Sequence, residues 1–193
     1  MNNENVIEVE NLMKVFGSFV ANDNLTFSVK RGEVFGFLGA NGAGKTTAIR
    51  ILSGLSKPTS GKVMVAGVDV SHKPENVKQN IGYMSQKFSL YEDMTILENI
   101  RFYASIYGIG VKERKKRELE LISKLGLEEV KDLLIKGLPL GWKQKLAFSL
   151  AVFHNPQVVF LDEPTGGVDP VTRRQFWDMI YESAARGITV FVT

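Results

Sequence analysis

The sequence predicts an α/β fold, with a parallel-sheet core, a small antiparallel β subdomain and an inserted helical subdomain. Two apolar runs indicate the core: residues 33–38 precede a glycine-rich loop, and residues 157–161 precede two adjacent carboxylates. The stretch between them shows mostly helical spacing of its apolar side chains. We therefore expect one domain over residues 1–193, with a core and β subdomain at 1–87 and 155–193 and a helical subdomain at 88–154.

The N-terminal part has the loose alternation of apolar and polar residues that indicates strands. Four strands are predicted there besides the run before the loop, at residues 6–16, 25–29, 62–67 and 81–85. The first ends in a turn at Gly17 and Ser18, and the last ends at Gln86. We expect these strands to form an antiparallel sheet around the glycine-rich loop.

The loop itself has the pattern Gly-x-x-x-x-Gly-Lys-Thr between a predicted strand and a predicted helix. It comprises Gly39, Ala40, Asn41, Gly42, Ala43, Gly44, Lys45, Thr46 and Thr47. Glycines let successive backbone N–H groups turn inward to hold phosphate oxygens, and the next helix adds its positive end. We expect Lys45 to reach the β- and γ-phosphates and the Thr46 hydroxyl to ligate Mg²⁺. A glycine-rich turn that only caps a helix is the alternative; the complete motif with its flanks favours a nucleoside triphosphate in a P-loop NTPase core.

The middle of the chain carries clear helix signals. Thr95 with Glu98 three residues later predicts a capping box, and a second helix from about residue 112 is predicted to stop at Gly126. Near residue 142 another helix is expected to begin. The basic run at 112–117 has the composition of a solvated helix face, which is more common than a binding patch.

The second apolar run ends in Asp162 and Glu163, at the carboxyl end of a strand expected in the middle of the parallel sheet. Asp162 is expected to hold Mg²⁺ through water, and Glu163 to act as the general base that polarises the attacking water. Two solvated acids at a strand end are the alternative. Beyond them, Asp169 and Pro170 predict the start of a helix to about residue 185, followed by a last strand at 187–193.

In this order and spacing the motifs resemble the nucleotide-binding domain of ABC transporters, and the resemblance covers essentially the whole chain. It implies that Phe16 stacks on adenine and that Gln86 joins the helical subdomain to the Mg²⁺ site and helps catalysis. It also implies contacts across a dimer from Leu140, Gly141 and Asp169. Each match has a plain alternative: Phe16 in the core, Gln86 at the surface, Asp169 as a helix cap.

Two features depart from the family. The signature, usually Leu-Ser-Gly-Gly-Gln, aligns with Leu-Pro-Leu-Gly-Trp at 138–142, which resembles the signature of a subgroup of ABC-2 exporters. The segment 90–95 is likewise similar to drug-exporter ATPases of the ABC-2 type. Pro139 has neither a hydroxyl nor an N–H, which predicts a weakened contact to the partner's γ-phosphate. The family's switch histidine would follow residues 188–192, whereas the histidines here are His72 and His154. We therefore expect the fold to be truncated at its C-terminal end.

The bulk composition sets wider limits. With 44% hydrophobic and 23% charged residues the chain is of ordinary globular composition, and its net charge of +3 does not by itself indicate nucleic acid. There is no cysteine, hence no disulfide and no thiolate metal site. The start lacks signal-peptide character and no apolar run is long enough to span a bilayer, so we expect a cytoplasmic protein, peripheral on the inner face of the membrane.

Together these features predict an ATPase that splits ATP into ADP and phosphate, with ATP and Mg²⁺ as cofactors and no nucleic-acid partner. The expected partners are an ABC-2 type transmembrane subunit and a second nucleotide-binding domain, identical or different, separate or fused. The aromatic residues Phe88, Tyr91, Phe102, Tyr103 and Tyr107 suit a groove for the membrane subunit, although most of them could simply be core. The rival functions are an ABC ATPase acting on ribosomes or DNA and a low-activity regulatory module.

Overall fold

The structure is a computed structural model that describes residues 4–86 and 90–193. In chain order the elements are β1 (Asn5–Phe16), β2 (Phe19–Lys30), β3 (Val34–Gly36), α1 (Lys45–Leu52), β4 (Ser60–Val65), β5 (Val68–Asp69), α2 (Pro74–Lys78), β6 (Ile81–Met84), α3 (Ile96–Ile106), α4 (Val111–Leu125), a 3-10 turn (Ile135–Gly137), α5 (Leu140–Ala151), β7 (Val158–Leu161), α6 (Pro170–Ala185) and β8 (Thr189–Val192). An antiparallel sheet has the order β2-β1-β4-β5, and a parallel sheet has the order β3-β8-β7-β6. The predicted α/β fold is confirmed, but the strand predicted at 81–85 was wrongly assigned to the antiparallel sheet: as β6 it pairs with β7 in the parallel sheet.

Strand β7 lies between β8 and β6, as its continuous apolar sequence predicts. Because side chains alternate along a strand, Val158 and Phe160 face one core while Val159 and Leu161 face another. The first core fills the space between the parallel sheet, α1 and the antiparallel sheet. The second packs the opposite face of the sheet against α3, α4, α5 and α6. The carboxyl end of β7 therefore lies between two packed layers, which fixes the residues that follow it.

The first hairpin extends further than predicted. The turn at Gly17 and Ser18 is confirmed, but β2 begins at Phe19 rather than at residue 25. Residues 22–24, Asn-Asp-Asn, have poor strand propensity, and the pairing with β1 supplies the hydrogen bonds that local sequence does not favour. Bulges in this ladder absorb the irregularity. The short β5 and α2 were not predicted from the sequence.

The strand before the glycine-rich loop corrects another expectation. Residues 33–38 were expected to form a buried strand, but β3 has only three residues, and within the described chain it pairs with β8 alone at one edge of the sheet. Leu38 is 87% exposed because the chain has already left the sheet there. Apolar sequence alone did not distinguish an edge strand from a central one.

The helix signals are mostly confirmed. Thr95 and Glu98 form the predicted capping box of α3, and α4 stops at Gly126 in the left-handed conformation. Helix α5, however, begins at Leu140 with Pro139 at its N-cap, two residues before the predicted start. Its C-terminal end lies so close to β6 that a Cβ on Gly82 would be 2.0 Å from the Ala151 carbonyl oxygen. The division at residues 154 and 155 stays a prediction.

Over the described residues, no helix is both long enough and apolar enough to cross a lipid bilayer.

Candidate nucleotide-binding site

The glycine-rich loop connects β3 to α1 and packs against the first hairpin. Gly44, with φ of 78°, is the N-cap of α1, and a Cβ on it would come within 2.0 Å of the Ala21 carbonyl oxygen. The buried Asn22 side chain donates a hydrogen bond from Nδ2 to the Gly44 carbonyl oxygen at 3.2 Å. Gly42 also has a positive φ, of 82°. Two of the glycines in the motif are therefore required by backbone conformation, and Gly44 also by space.

Lys45 curls over its own loop. Its ammonium group donates hydrogen bonds to the carbonyl oxygens of Gly39 and Ala40, at 2.8 and 2.9 Å. These carbonyl oxygens are partial negative charges close to the loop N–H groups. An anion held by the loop would offer the same ammonium group stronger, charge-assisted acceptors. The geometry thus places the Lys45 ammonium group beside the loop that is expected to hold phosphate.

Behind the loop, Asp162 connects to hydroxyl groups on two sides. Only 4% of Asp162 is exposed, and its Oδ1 lies 3.3 Å from the Thr46 hydroxyl and 2.9 Å from the Thr193 hydroxyl, both of which donate to it. Burial and the Asp162 charge together raise the pKa of nearby Tyr83. A hydroxyl and a carboxylate are hard oxygen donors of the kind that Mg²⁺ takes together with substrate phosphates. The donor set therefore fits the predicted ion.

The second carboxylate faces the opening of the cleft. Glu163 Oε2 accepts a hydrogen bond from Gln86 Nε2 at 2.9 Å, across 77 positions of sequence. Glu163 has φ of 49°, which is unusual for a residue other than glycine. Its backbone N–H donates to the Thr193 hydroxyl at 3.1 Å. The structure thus brings Gln86 and Glu163 together, while their catalytic roles stay predictions.

Several of these residues line one cleft of about 300 Å³. It is lined by Phe19, Ala21, Asn41, Gly42, Gly44, Lys45, Thr46, Thr47, Gln86 and Glu163. The expected adenine-stacking residue, Phe16, is not among the lining residues, and the Lys14 ammonium lies 4.8 Å from the centre of its ring. Phe19 is its partner across the hairpin and is 61% exposed at the cleft. Sequence reasoning missed Phe19, although its position beside the predicted turn was a usable signal.

The residues expected to make dimer contacts lie around a different groove, of about 370 Å³. Pro139, Leu140, Gly141, Val168 and Asp169 are among its lining residues. A Cβ on Gly141 would come within 2.6 Å of Thr172 Cγ2. The Asp169 carboxylate accepts hydrogen bonds from the N–H groups of Val171 and Thr172, both at 3.0 Å, so the alternative of a helix cap is confirmed. Hydrogen bonds from the Thr172 hydroxyl and N–H also lower the pKa of Asp169.

The aromatic residues of the helical part form a chain of rings. Tyr91 meets Phe102 edge-on at 4.6 Å between centroids, and Phe102 meets Tyr103 at 5.8 Å. Tyr107 stacks on His154 at 3.7 Å, and burial raises the pKa of Tyr107 to about 12. None of the four aromatic residues is fully buried. Phe88, the fifth of the predicted set, lies outside the described residues.

Comparison with known proteins places this geometry in a family. The family described as "ABC transporter" matches residues 22–166. The chain is 45% identical over 190 residues to the probable multidrug ABC transporter ATP-binding protein YbhF of Escherichia coli (strain K12), covering 98% of this chain and 33% of the relative. It is 35% identical to the linearmycin resistance ATP-binding protein LnrL of Bacillus subtilis (strain 168), covering 97% of this chain and 60% of the relative. The chain thus spans only a third to three fifths of these relatives.

A solved structure of an ATP-binding cassette has the same fold. An ATP-binding cassette, a dimer in a post-hydrolysis state bound to ADP and Pi, superposes on this chain with a TM-score of 0.84 and 27% identity. The match covers 96% of this chain and 86% of that one.

Proposed function

The chain belongs to the ABC transporter family of ATP-binding domains, and from this premise we propose that it binds ATP with Mg²⁺ and hydrolyses it to power an exporter. The single observation that carries the proposal is the cleft that the glycine-rich loop, Lys45 and the Gln86–Glu163 pair line, with Asp162 bonded to Thr46 behind it. The names of two relatives, a probable multidrug transporter protein and a linearmycin resistance protein, support export as the direction.

For binding, we propose that the loop amides of residues 39–44 and the N-terminus of α1 hold the β- and γ-phosphates. Lys45 exchanges its two carbonyl acceptors for phosphate oxygens, a movement of one flexible side chain. The Thr46 hydroxyl and Asp162 hold Mg²⁺, which when bound neutralises charge on the phosphates. The adenine base of the nucleotide lies against the first hairpin, near Phe16 and Phe19.

For hydrolysis, Glu163 is the proposed general base, and its carboxylate stands at the mouth of the cleft where an attacking water can reach the γ-phosphate. Gln86 orients Glu163 through the 2.9 Å hydrogen bond. Lys45 and the loop amides stabilise the charge that develops on the transferred phosphoryl group. In the proposed dimer, Leu140, Gly141 and Asp169 complete the site of a second nucleotide-binding domain.

More finely, we assign the chain to the ABC-2 exporter subgroup that has the Leu-Pro-Leu-Gly-Trp signature. In this proposal the chain lies at the inner face of the membrane and its partner is an ABC-2 type transmembrane subunit. The signature residues 138–142 and the drug-resistance names of the relatives support it. The exposed ring of Tyr91 and the partly buried ring of Phe102 suit the surface that meets the membrane subunit. A low-activity regulatory module is the second candidate, and the altered signature is the observation that favours it.

The decisive experiment removes the Lys45 ammonium. A charge-assisted contact is worth on the order of 1.5–3 kcal/mol, so Lys45→Ala should weaken ATP binding roughly tenfold to a hundredfold. Lys62→Ala, at an exposed lysine on β4 outside the cleft, is the matched control. Equilibrium titration with ATP and Mg²⁺ measures both variants. Equal ATP affinity in Lys45→Ala and the unchanged chain would contradict the site.

A further inference from the structure

Thr193 continues the parallel ladder beside Asp162 and Glu163, the two acidic residues that follow β7. It follows β8, and its backbone N–H donates to the Leu161 carbonyl oxygen at 3.0 Å. One residue earlier, the Val192 carbonyl oxygen accepts the N–H of Phe37 at 2.8 Å. Backbone hydrogen bonds from both neighbouring strands therefore fix where the Thr193 side chain stands.

The Thr193 hydroxyl contacts both residues that follow β7. It donates to Asp162 Oδ1 at 2.9 Å and accepts the backbone N–H of Glu163 at 3.1 Å. A hydroxyl has one proton to donate and lone pairs to accept with, so a single group serves both contacts. No other side chain of the cleft is hydrogen-bonded to both of these residues within the described chain.

We infer that Thr193 is a positioning residue that holds the Asp162 carboxylate and the Glu163 backbone in register for ATP hydrolysis. The inference rests on the proposed function, because it assigns Thr193 to the same site. Thr193 itself touches neither nucleotide nor water in this role. It acts through the two carboxylates, one proposed to hold Mg²⁺ and the other proposed to activate water.

The contact to Asp162 matters because that carboxylate is almost fully buried and needs donors to stay in one orientation. Its other hydroxyl donor is Thr46, at the longer distance of 3.3 Å. The Thr46 hydroxyl is expected to ligate Mg²⁺, so its role is not limited to orienting Asp162. Thr193 is then the donor that keeps Asp162 Oδ1 fixed from the β8 side.

The contact to Glu163 matters because that residue holds a left-handed backbone conformation, with φ of 49°. Such a conformation persists only where surrounding contacts fix it. The hydrogen bond from the Glu163 N–H to Thr193 is one such contact, and the Gln86–Glu163 hydrogen bond depends on the same backbone. Loss of the Thr193 hydroxyl should therefore change the direction of the Glu163 carboxylate.

The chain offers a matched control on the same strand. At the opposite end of β8, the Thr189 hydroxyl accepts the backbone N–H of Gly32 at 2.9 Å, far along the ladder from the cleft. Thr193→Val and Thr189→Val thus remove the same group from the same strand, and each loses a hydrogen bond from a backbone N–H. Only Thr193→Val also removes a hydrogen bond to a carboxylate, that of Asp162, and Thr193→Ser keeps the hydroxyl.

The test measures ATP affinity of the 193-residue chain in Mg²⁺ and in EDTA, together with the midpoint of thermal unfolding. Substitution of a residue that orients a metal ligand typically lowers metal affinity about tenfold to a hundredfold. We define the Mg²⁺ gain as the ratio of the ATP affinity in Mg²⁺ to the ATP affinity in EDTA. In Thr193→Val we expect this gain to fall at least about tenfold, while the ATP affinity in EDTA stays unchanged. Thr193→Ser should restore the gain, and Thr189→Val should keep it even where its midpoint falls.

Three results would overturn the role of Thr193: a wild-type Mg²⁺ gain in Thr193→Val, an equal loss in Thr189→Val, or no rescue in Thr193→Ser. These leave the proposed function intact, since the unchanged chain still binds ATP with Mg²⁺. If the unchanged chain binds no ATP, or binds it equally well in EDTA, the proposed function fails and the role of Thr193 fails with it.

Discussion

The two grooves that carry the family's motifs differ in how far this chain completes them. Around the phosphate loop, functional groups are engaged within the chain: Lys45 with its own loop, Thr46 with Asp162, and Gln86 with Glu163. Around the signature, Leu140 and Gly141 start a helix whose N-cap, Pro139, has no side-chain group to bond their N–H groups. In the first groove the functional side chains are hydrogen-bonded to one another within one chain, whereas in the second no N-cap side chain bonds the first N–H groups of α5.

The difference indicates which half of the site depends on a second molecule. Leu140 and Trp142 are 43% and 37% exposed beside these N–H groups, whereas Asp162 in the other half is 4% exposed. Substitutions in the phosphate-loop half should therefore act on the chain by itself. Substitutions in the signature half should act only once a partner is present.

Replacing the proposed base should give the largest change. Glu163→Gln keeps the size of the side chain and the hydrogen bonding to Gln86 but cannot take a proton, so hydrolysis should fall by about a hundredfold or more. ATP binding should survive. Single-turnover hydrolysis in the assembled transporter measures the change, with Glu120→Gln on the exposed face of α4 as control. Normal hydrolysis by Glu163→Gln would place the base elsewhere.

A pair of glycine substitutions compares the two halves directly. Gly44→Ala puts a Cβ 2.0 Å from a backbone oxygen that cannot rotate away, whereas Gly141→Ala puts one 2.6 Å from the Thr172 methyl group, which can. Overpacking of the first kind costs about 1–3 kcal/mol, and Gly44 also needs its positive φ. We expect Gly44→Ala to weaken ATP binding by the single chain about tenfold to a hundredfold.

Gly141→Ala should leave ATP binding by the single chain unchanged and weaken only nucleotide-dependent dimerisation. Titration with ATP gives the first quantity, and sedimentation with and without ATP gives the second. Equal loss of ATP affinity in both variants would show that the two halves are not separable in the way their contacts indicate.

Local signals made much of this fold predictable from sequence. The capping box at Thr95 and Glu98, the stop at Gly126 and the cap at Asp169 are each set by residues within four positions. The buried β7 followed from its composition, and the loop 39–47 from its motif. What was missed depends on distant pairing: the early start of β2 needs β1, and the exposed edge at β3 needs the order of the whole sheet.

The site shows the same limit. Sequence placed Lys45, Asp162 and Glu163 near one another because each stands in a recognisable motif. It could not place Thr193, whose contacts to Asp162 and Glu163 span about thirty positions and arise only from the parallel pairing of β7 with β8. It also named Phe16 and not Phe19, since the choice depends on which ring the twisted hairpin turns toward the cleft.

The variant signature should produce a smaller change, visible only in the dimer. Rebuilding Pro139→Ser with Leu140→Gly restores a hydroxyl, an N–H and open space at the start of α5. One charge-assisted hydrogen bond is worth on the order of 1.5–3 kcal/mol, so turnover at the site completed by this signature should rise about tenfold or more. Pro139→Ala, which restores the N–H without the hydroxyl, separates the two contributions. Unchanged turnover in the rebuilt dimer, measured site by site, would make the variant signature neutral packing.

The smallest expected effect concerns the two rings of the first hairpin. Phe19 lines the cleft, whereas one face of Phe16 is near the Lys14 ammonium, which is itself bonded to the Lys57 carbonyl oxygen at 2.8 Å. A ring stacked on the base is worth about 0.5–1.5 kcal/mol beyond its buried area, so Phe19→Ala should weaken ATP binding roughly threefold to tenfold. Phe16→Ala should weaken it less, because the Phe16 ring does not line the cleft. Binding of inorganic tripolyphosphate, which has no base, should be the same in both variants, and this comparison isolates stacking from damage to the loop. A larger loss in Phe16→Ala would assign the base to Phe16, as the family resemblance implies, and would mean that the hairpin turns when nucleotide binds.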